Sequence, residues 1–188
     1  MTRRQLVTSV VVFVLCAVLV RSTASADDAF NSTLVRTAIV VSDVDVSKQF
    51  YSRAFGFRVG FNGDITRPSV RHMLGLSDLQ TAHFTVLHGS ERLDGEPVAK
   101  SMIGLLYVAG PELEAIERPA SHSLAIGEAM LAIMTDDIAA VFQRVRELDA
   151  TILMEPTPSP DGSESELVLR DPDGLRIHVV DRHDAPRP

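Results

Sequence analysis

Two stretches of this chain repeat each other at a constant offset of 94 residues, and this repeat constrains the fold more than any other feature. In both copies an apolar segment leads into a turn that ends in an aspartate, followed by a segment with the spacing of an amphipathic helix. The matched pairs are Ala38 with Ala132, Ile39 with Ile133, Asp43 with Asp137, and Val44 with Ile138. The sequence therefore predicts two copies of one strand–turn–helix unit.

Further strand patterns follow each copy of this unit. The expected strands span residues 34–41, 57–61, 80–88 and 101–108 in the first half, and 129–134, 151–154, 164–170 and 175–180 in the second. A helical turn is expected at 69–76 and a loop at 156–162. We therefore predict an α+β fold of two tandem βαβββ modules, with module one at 34–109, a linker at 110–127 and module two at 128–182.

The first 26 residues have the organisation of a secretory signal peptide. Basic Arg3 and Arg4 precede an apolar run at 6–20, and Ala24 and Ala26 supply small residues for cleavage after Ala26. The run is shorter than the ~18–20 apolar residues that span a bilayer, although an uncleaved anchor is the alternative. We expect a periplasmic or secreted domain at 27–188, without membrane attachment after cleavage.

Without the leader, 15 basic residues face 25 acidic ones, so the net charge of the domain is about −10. This charge disfavours nucleic acid as a partner. The single cysteine, Cys16, lies in the leader, so the domain has neither a disulfide nor a thiol nucleophile.

The stretch at 170–181 combines a tight turn with a titratable side chain. In the turn Asp171-Pro172-Asp173-Gly174, proline presets φ and glycine accepts a positive φ. The strand that follows carries His178 among apolar neighbours. His178 is a candidate general base, proton donor or ligand-binding group, and a hydrogen-bonded core histidine is the alternative.

Several motifs together resemble the vicinal oxygen chelate superfamily, which contains glyoxalases, bleomycin-resistance proteins and extradiol dioxygenases. They are Val41-Ser42-Asp43, Phe50-Tyr51, Phe55-Gly56-Phe57 and the closing Asp-Pro-Asp-Gly turn. The resemblance implies curved mixed sheets that enclose one cavity. It also implies a divalent metal at the cavity floor, held by His or Gln on the first strand and Glu on the last strand of each module.

The four ligand positions implied by this resemblance carry Arg36, Gly104, Met130 and His178 here. Of these only His178 is a suitable ligand, since arginine stays protonated, glycine has no side chain and methionine is soft. One ligand cannot hold a metal that needs about three protein donors. We therefore predict no metal cofactor. The alternative is a displaced divalent metal site that uses His178, either His72 or His83, and a carboxylate.

Side chains alternate between the faces of a strand, so the residues sharing a face with Arg36 and His178 can be predicted. They include Met102, Gly104, Leu106, Met130, Ala132 and Met134, which make an apolar floor. Arg36 is a candidate clamp for a carboxylate or phosphate. The alternative is that Arg36 forms an internal ion pair or lies in solvent at the end of the strand. His72 is a candidate lid residue.

Two classes of function follow. The first is an exported protein that binds a small, partly apolar molecule, either neutral or anionic, without a metal. The second is an enzyme of the glyoxalase/dioxygenase type, namely a lyase, isomerase or dioxygenase with a relocated metal, or an acid–base catalyst that uses His178. Whether the chain is an enzyme stays open, and a homodimer is possible.

Overall fold

The computed structural model describes residues 34–111, 113–119, 123–160 and 162–182, with only the backbone of the last residue. The predicted signal peptide lies outside these residues. The first half contains β1 (Thr37–Val41), α1 (Val44–Phe55), β2 (Arg58–Asp64), α2 (Pro68–Met73), β3 (Thr81–His88), β4 (Arg92–Leu93), β5 (Glu96–Pro97) and β6 (Met102–Ala109). The second half contains β7 (Met130–Thr135), α3 (Ile138–Glu147), β8 (Ile152–Pro158), β9 (Glu164–Arg170) and β10 (Arg176–Arg182).

The strands form two four-stranded mixed sheets with the same topology. Their orders are β1-β6-β3-β2 and β7-β10-β9-β8, and β4 and β5 form a separate hairpin. The parallel pairs are β1 with β6 and β7 with β10, which are the first and last strands of each sheet along the chain. The other neighbouring strands in each sheet are antiparallel. The predicted fold class is confirmed. In the described ranges the two sheets do not join into a closed barrel.

The helix boundaries follow local chemistry that the sequence predicts. The Asp43 carboxylate accepts hydrogen bonds from two backbone N–H groups of the first turn of α1, and the Asp137 carboxylate accepts one at the start of α3. Gly56 ends α1 with a φ of 72°, a left-handed conformation that glycine adopts without strain. Both predicted caps and the predicted helix end are confirmed.

The hydrophobic core lies between the helices and the inner faces of the two sheets. Ile39 and Val41 of β1 are buried in it together with Ile177 and Val179 of β10. One continuous cluster includes residues of both modules. The opposite sheet faces are more open, and Val40 is 54% exposed. The predicted alternation along β1 is therefore confirmed.

The Asp171–Gly174 turn connects the modules. The Tyr51 hydroxyl on α1 donates to Asp171 Oδ2 over 2.9 Å, and the backbone N–H of Ser42 donates to Asp173 Oδ1 over 3.1 Å. Burial raises the pKa of Asp171 and also that of Tyr51. The turn that closes module two therefore also holds the helix of module one.

One local prediction is wrong, and one element was not predicted. Strand β8 continues to Pro158, through part of the expected loop at 156–162. Proline is tolerated there because β8 is an outer strand with irregular register. The loop before β6 contains the β4–β5 hairpin, whose turn residues Asp94 and Gly95 both have positive φ. No helix in the described part of the chain is long and apolar enough to cross a membrane.

Candidate functional site

The module-one sheet carries a stack of three residues on the face opposite the helix. Gly104 on β6 pairs with Ala38 on β1 and with Val86 on β3. The ring of Phe84 lies over Gly104, because a Cβ added to Gly104 would be only 2.5 Å from Phe84 Cζ. The Arg36 guanidinium carbon lies 5.1 Å from the centre of the same ring. An aromatic ring, covered by a cation, thus fills the space at one of the expected ligand positions.

The surroundings of this stack are mostly apolar. Leu106 pairs with Phe84 on the neighbouring strand, and Met102 pairs with His88. Phe61 on β2 pairs with Val86 and is 54% exposed. Together with the stack, these residues present an apolar and aromatic surface with one guanidinium, which we call the module-one face.

The module-two sheet carries a histidine–carboxylate pair on its corresponding face. His178 Nε2 lies 3.2 Å from Glu166 Oε2, and both side chains are partly exposed. His178 lies between Ala132 on β7 and Val168 on β9 in the strand register. Sequence reasoning did not identify Glu166. The alternation of β9 could have identified it, because Glu166 lies on the same face as Val168.

A buried ionic cluster holds the linker against the same sheet. Arg170 and Arg176 are cross-strand partners on either side of the closing turn. Both guanidiniums contact Glu128 Oε1, at 3.4 Å and 3.3 Å. They also donate to the carbonyls of Pro119 and Ser123 in the linker, over 2.7 Å and 3.0 Å. Hydrogen bonding from the backbone N–H of Ala125, together with the two guanidiniums, lowers the pKa of Glu128.

The module-two methionines lie next to this cluster and are open to solvent. Met130 pairs with Arg176, and Met134 pairs with Val180. The two methionine side chains are 52% and 44% exposed. They supply adaptable apolar surface beside the histidine–carboxylate pair.

None of the other histidines that the structure describes forms a hydrogen bond or ion pair with His178. His72 is exposed on α2. His83 lies between Asp64 and Asn62, with ring nitrogens 2.7 Å and 3.0 Å from their side-chain oxygens. His83 and His88 lie on opposite faces of β3, as their spacing predicts. Among the residues that the structure describes, no three His, Cys, Asp or Glu side chains come together as a metal-binding group.

The predicted site residues therefore fall into two groups. Arg36, Met102 and Gly104 belong to the module-one face, whereas Met130, Met134 and His178 belong to the module-two sheet. No hydrogen bond or ion pair joins the groups within the described ranges. The residues at the four expected ligand positions do not suit a divalent metal, because they offer one imidazole, one thioether and a cation.

Comparison with known proteins identifies the family. The family profile described as Glyoxalase/Bleomycin resistance protein/Dioxygenase superfamily matches residues 33–179. Two plant proteins named as lactoylglutathione lyases are similar. The Brassica oleracea protein is 25% identical over 149 residues, which are 79% of this chain and 44% of that protein. The Arabidopsis thaliana protein is 23% identical over 159 residues, which are 84% of this chain and 47% of that protein.

A solved structure agrees with the sequence comparison. A glyoxalase family protein from Bacillus cereus superposes with a TM-score of 0.64 at 20% identity, over 80% of this chain and 96% of that one. This likeness concerns the fold. The chain spans less than half the length of the plant relatives. Because the family profile matches most of its length, the chain belongs to the Glyoxalase/Bleomycin resistance protein/Dioxygenase superfamily.

Proposed function

We propose that this chain is an exported protein that binds a small, partly apolar and anionic molecule without a metal centre. The observation that carries the proposal is the module-one stack, in which Phe84 fills the space over Gly104 and Arg36 covers the ring. A metal ligand at position 104 would need a side chain where this ring lies. The superfamily assignment gives the fold, and the residues of the site carry the functional argument.

Arg36 is the group that we assign to the anion. Its described contact is the Phe84 ring, and none of the ion pairs found among the described residues involves it. A guanidinium stacked on an aromatic ring keeps its hydrogen-bond donors available for a carboxylate or phosphate. The neighbouring ring supplies apolar contact for the rest of the ligand.

The second candidate is a metal-independent acid–base enzyme, and the His178–Glu166 pair favours it. A carboxylate beside an imidazole can orient the ring and stabilise its protonated form during proton transfer. The plant relatives are named as lyases, so lactoylglutathione is the first compound to test. Turnover that persists in the presence of a chelator and is lost in both His178→Gln and Glu166→Gln would favour this candidate over simple binding.

The test of the main proposal uses an aromatic carboxylate as the probe. Benzoate should bind the wild type and lose about tenfold or more in affinity in Arg36→Met, because the charge-assisted hydrogen bonds are lost. Arg53→Met, an exposed arginine on α1, is the control and should bind as the wild type does. Equal affinity in both variants would remove Arg36 from the site.

The metal-free part of the proposal has its own measurement. Zinc, nickel, manganese and iron(II), added one at a time, should leave the melting temperature unchanged. A ligand present at 100 times its Kd stabilises a protein by about 2.7 kcal/mol, which would raise the melting temperature by several degrees. Such a rise with one metal, abolished in His178→Ala, would contradict the proposal.

A further inference from the structure

A cavity of about 430 Å³ lies at the outer edge of the module-two sheet, between the C-terminal end of α1, the β4–β5 hairpin and strand β7. The larger apolar residues of its lining include Phe55, Phe57, Leu93, Val98, Met134 and Val141. Cavities of roughly 300–1,000 Å³ with mostly apolar walls are typical of small-molecule sites. The hairpin that forms one wall has strands of only two residues each, so the cavity is built around a short surface element.

The polar groups around this cavity carry a positive charge. Arg92 on the hairpin and Arg144 on α3 line it, and Asp136 is the acid among its lining residues. Arg92 donates to the carbonyl of Gly95, which holds its side chain within the hairpin. Arg144 is exposed, and the hydrogen bonds and ion pairs within the described ranges leave its guanidinium without a partner. A free cation thus lies beside an aromatic and aliphatic wall.

Strand β7 adds main-chain groups to the same cavity. The lining includes the consecutive residues Ala132, Ile133, Met134 and Thr135, so the cavity runs along the strand. Because β7 is the outer strand of its sheet, its outward peptide groups face away from β10. Peptide N–H groups at such an edge can donate to an anionic head group.

We infer that this cavity is a second binding site, for a small amphiphile with an apolar chain and a carboxylate head group. The apolar wall takes the chain, and Arg144 takes the carboxylate through charge-assisted hydrogen bonds. The site uses the hairpin, α3 and the edge of β7, and it involves neither Arg36 nor His178. It shares Met134 with the module-two sheet, but the two proposals depend on different charged groups and can be tested separately.

The test uses the absence of tryptophan from this chain, which makes a single introduced indole a local reporter. Phe55→Trp places the reporter in the cavity wall, where the native ring packs beside other aromatic rings. Phe61→Trp places a matched reporter on the module-one face. Decanoate, below its micelle-forming concentration, should change the emission of the first reporter saturably and leave the second unchanged. Decanol, which lacks the charge, should bind about tenfold more weakly.

The charge contribution is tested in the Phe55→Trp background. Arg144→Gln should weaken decanoate binding about tenfold, because it removes the guanidinium. Arg146→Gln is the matched control on the same helix. Arg146 stacks 5.7 Å from the centre of the Phe142 ring and should change the affinity by less than about twofold. Both arginines are exposed, and circular dichroism will check that each variant is folded.

Three results would overturn the inference. The first is no saturable response of the cavity reporter, and the second is a response of the module-one reporter alone, which would place decanoate on the sheet face. The third is the absence of a charge contribution, seen either as equal binding of decanoate and decanol or as equal affinity in the two arginine variants. Each of these results leaves the benzoate test of Arg36 unaffected, so the two proposals fail separately.

Discussion

The two sheets have the same topology, but the side chains on their faces opposite the helices differ in chemistry. In module one, an aromatic ring packs on glycine and an arginine packs on the ring, at the open surface. In module two, two arginines and Glu128 form a buried ionic cluster that holds the linker. The repeated βαβββ unit therefore determines where side chains lie on each sheet, but not which residue types occupy those positions.

The linker accounts for part of this difference. The carbonyls of its residues Pro119 and Ser123 accept hydrogen bonds from the two arginines, and Glu128, which follows the linker, contacts both guanidiniums. A buried guanidinium needs such a partner, because an unpaired buried charge is strongly destabilising. Arg36 lies on the open face of module one and needs no internal carboxylate, which leaves it available to a ligand.

The largest expected effect comes from removing an arginine of the ionic cluster. Arg170→Met leaves Glu128 with one cation and leaves the carbonyls of Pro119 and Gly174 without their donor. We expect the melting temperature to fall by roughly 10 °C, together with faster tryptic cleavage within 110–127. Arg53→Met on the exposed side of α1 is the control. A fall equal to that of the control would show that the cluster does not hold the linker.

An intermediate effect is expected at the module-one stack. Gly104→Ala puts a Cβ within 2.5 Å of Phe84 Cζ, so the ring has to tilt away from the strand. Because Phe84 is only partly buried, the loss in free energy of unfolding should be about 1 kcal/mol, at the low end for overpacking. Urea denaturation in a Phe84→Leu background provides the double-mutant cycle. The same loss in both backgrounds would mean that the ring does not cover Gly104.

The smallest expected effect is a difference in pH dependence between the two faces. The pKa of Glu128 is lowered from 4.5 in the folded chain, so its contribution to stability is present above the unfolded pKa. That contribution is lost as the pH falls through the lower, folded pKa. The stability difference between wild type and Glu128→Gln should therefore shrink as the pH is lowered below about 4.5.

The control for this pH series is the module-one variant Gly104→Ala, whose difference from wild type should not change with pH. Asp171, with a pKa raised by burial, contributes in the opposite direction, because its protonation stabilises the folded chain as the pH falls. It is present in every variant and cancels from the differences. Thermal denaturation across the acidic range gives the measurement, and a constant difference for Glu128→Gln would contradict the prediction.

The sequence by itself determined the local features of this protein. The repeat predicted two modules, Asp43 and Asp137 predicted helix starts, and the alternation along β1 predicted which side chains enter the core. The missed hairpin at Asp94-Gly95 belongs to the same class, since its turn signal is local. These features depend on a few consecutive residues, so hydrogen-bonding and steric rules are enough to derive them.

Only the tertiary structure decided how the candidate sites are built. The sequence placed Arg36 and Gly104 on one face but did not show that Phe84 would lie between them. The pairing of His178 with Glu166 depends on strand register, and the position of Glu128 depends on the path of the linker. Such contacts join residues that are distant along the chain. They are decided by the packing of whole elements, because the stability of a buried charge or ring depends on every group around it.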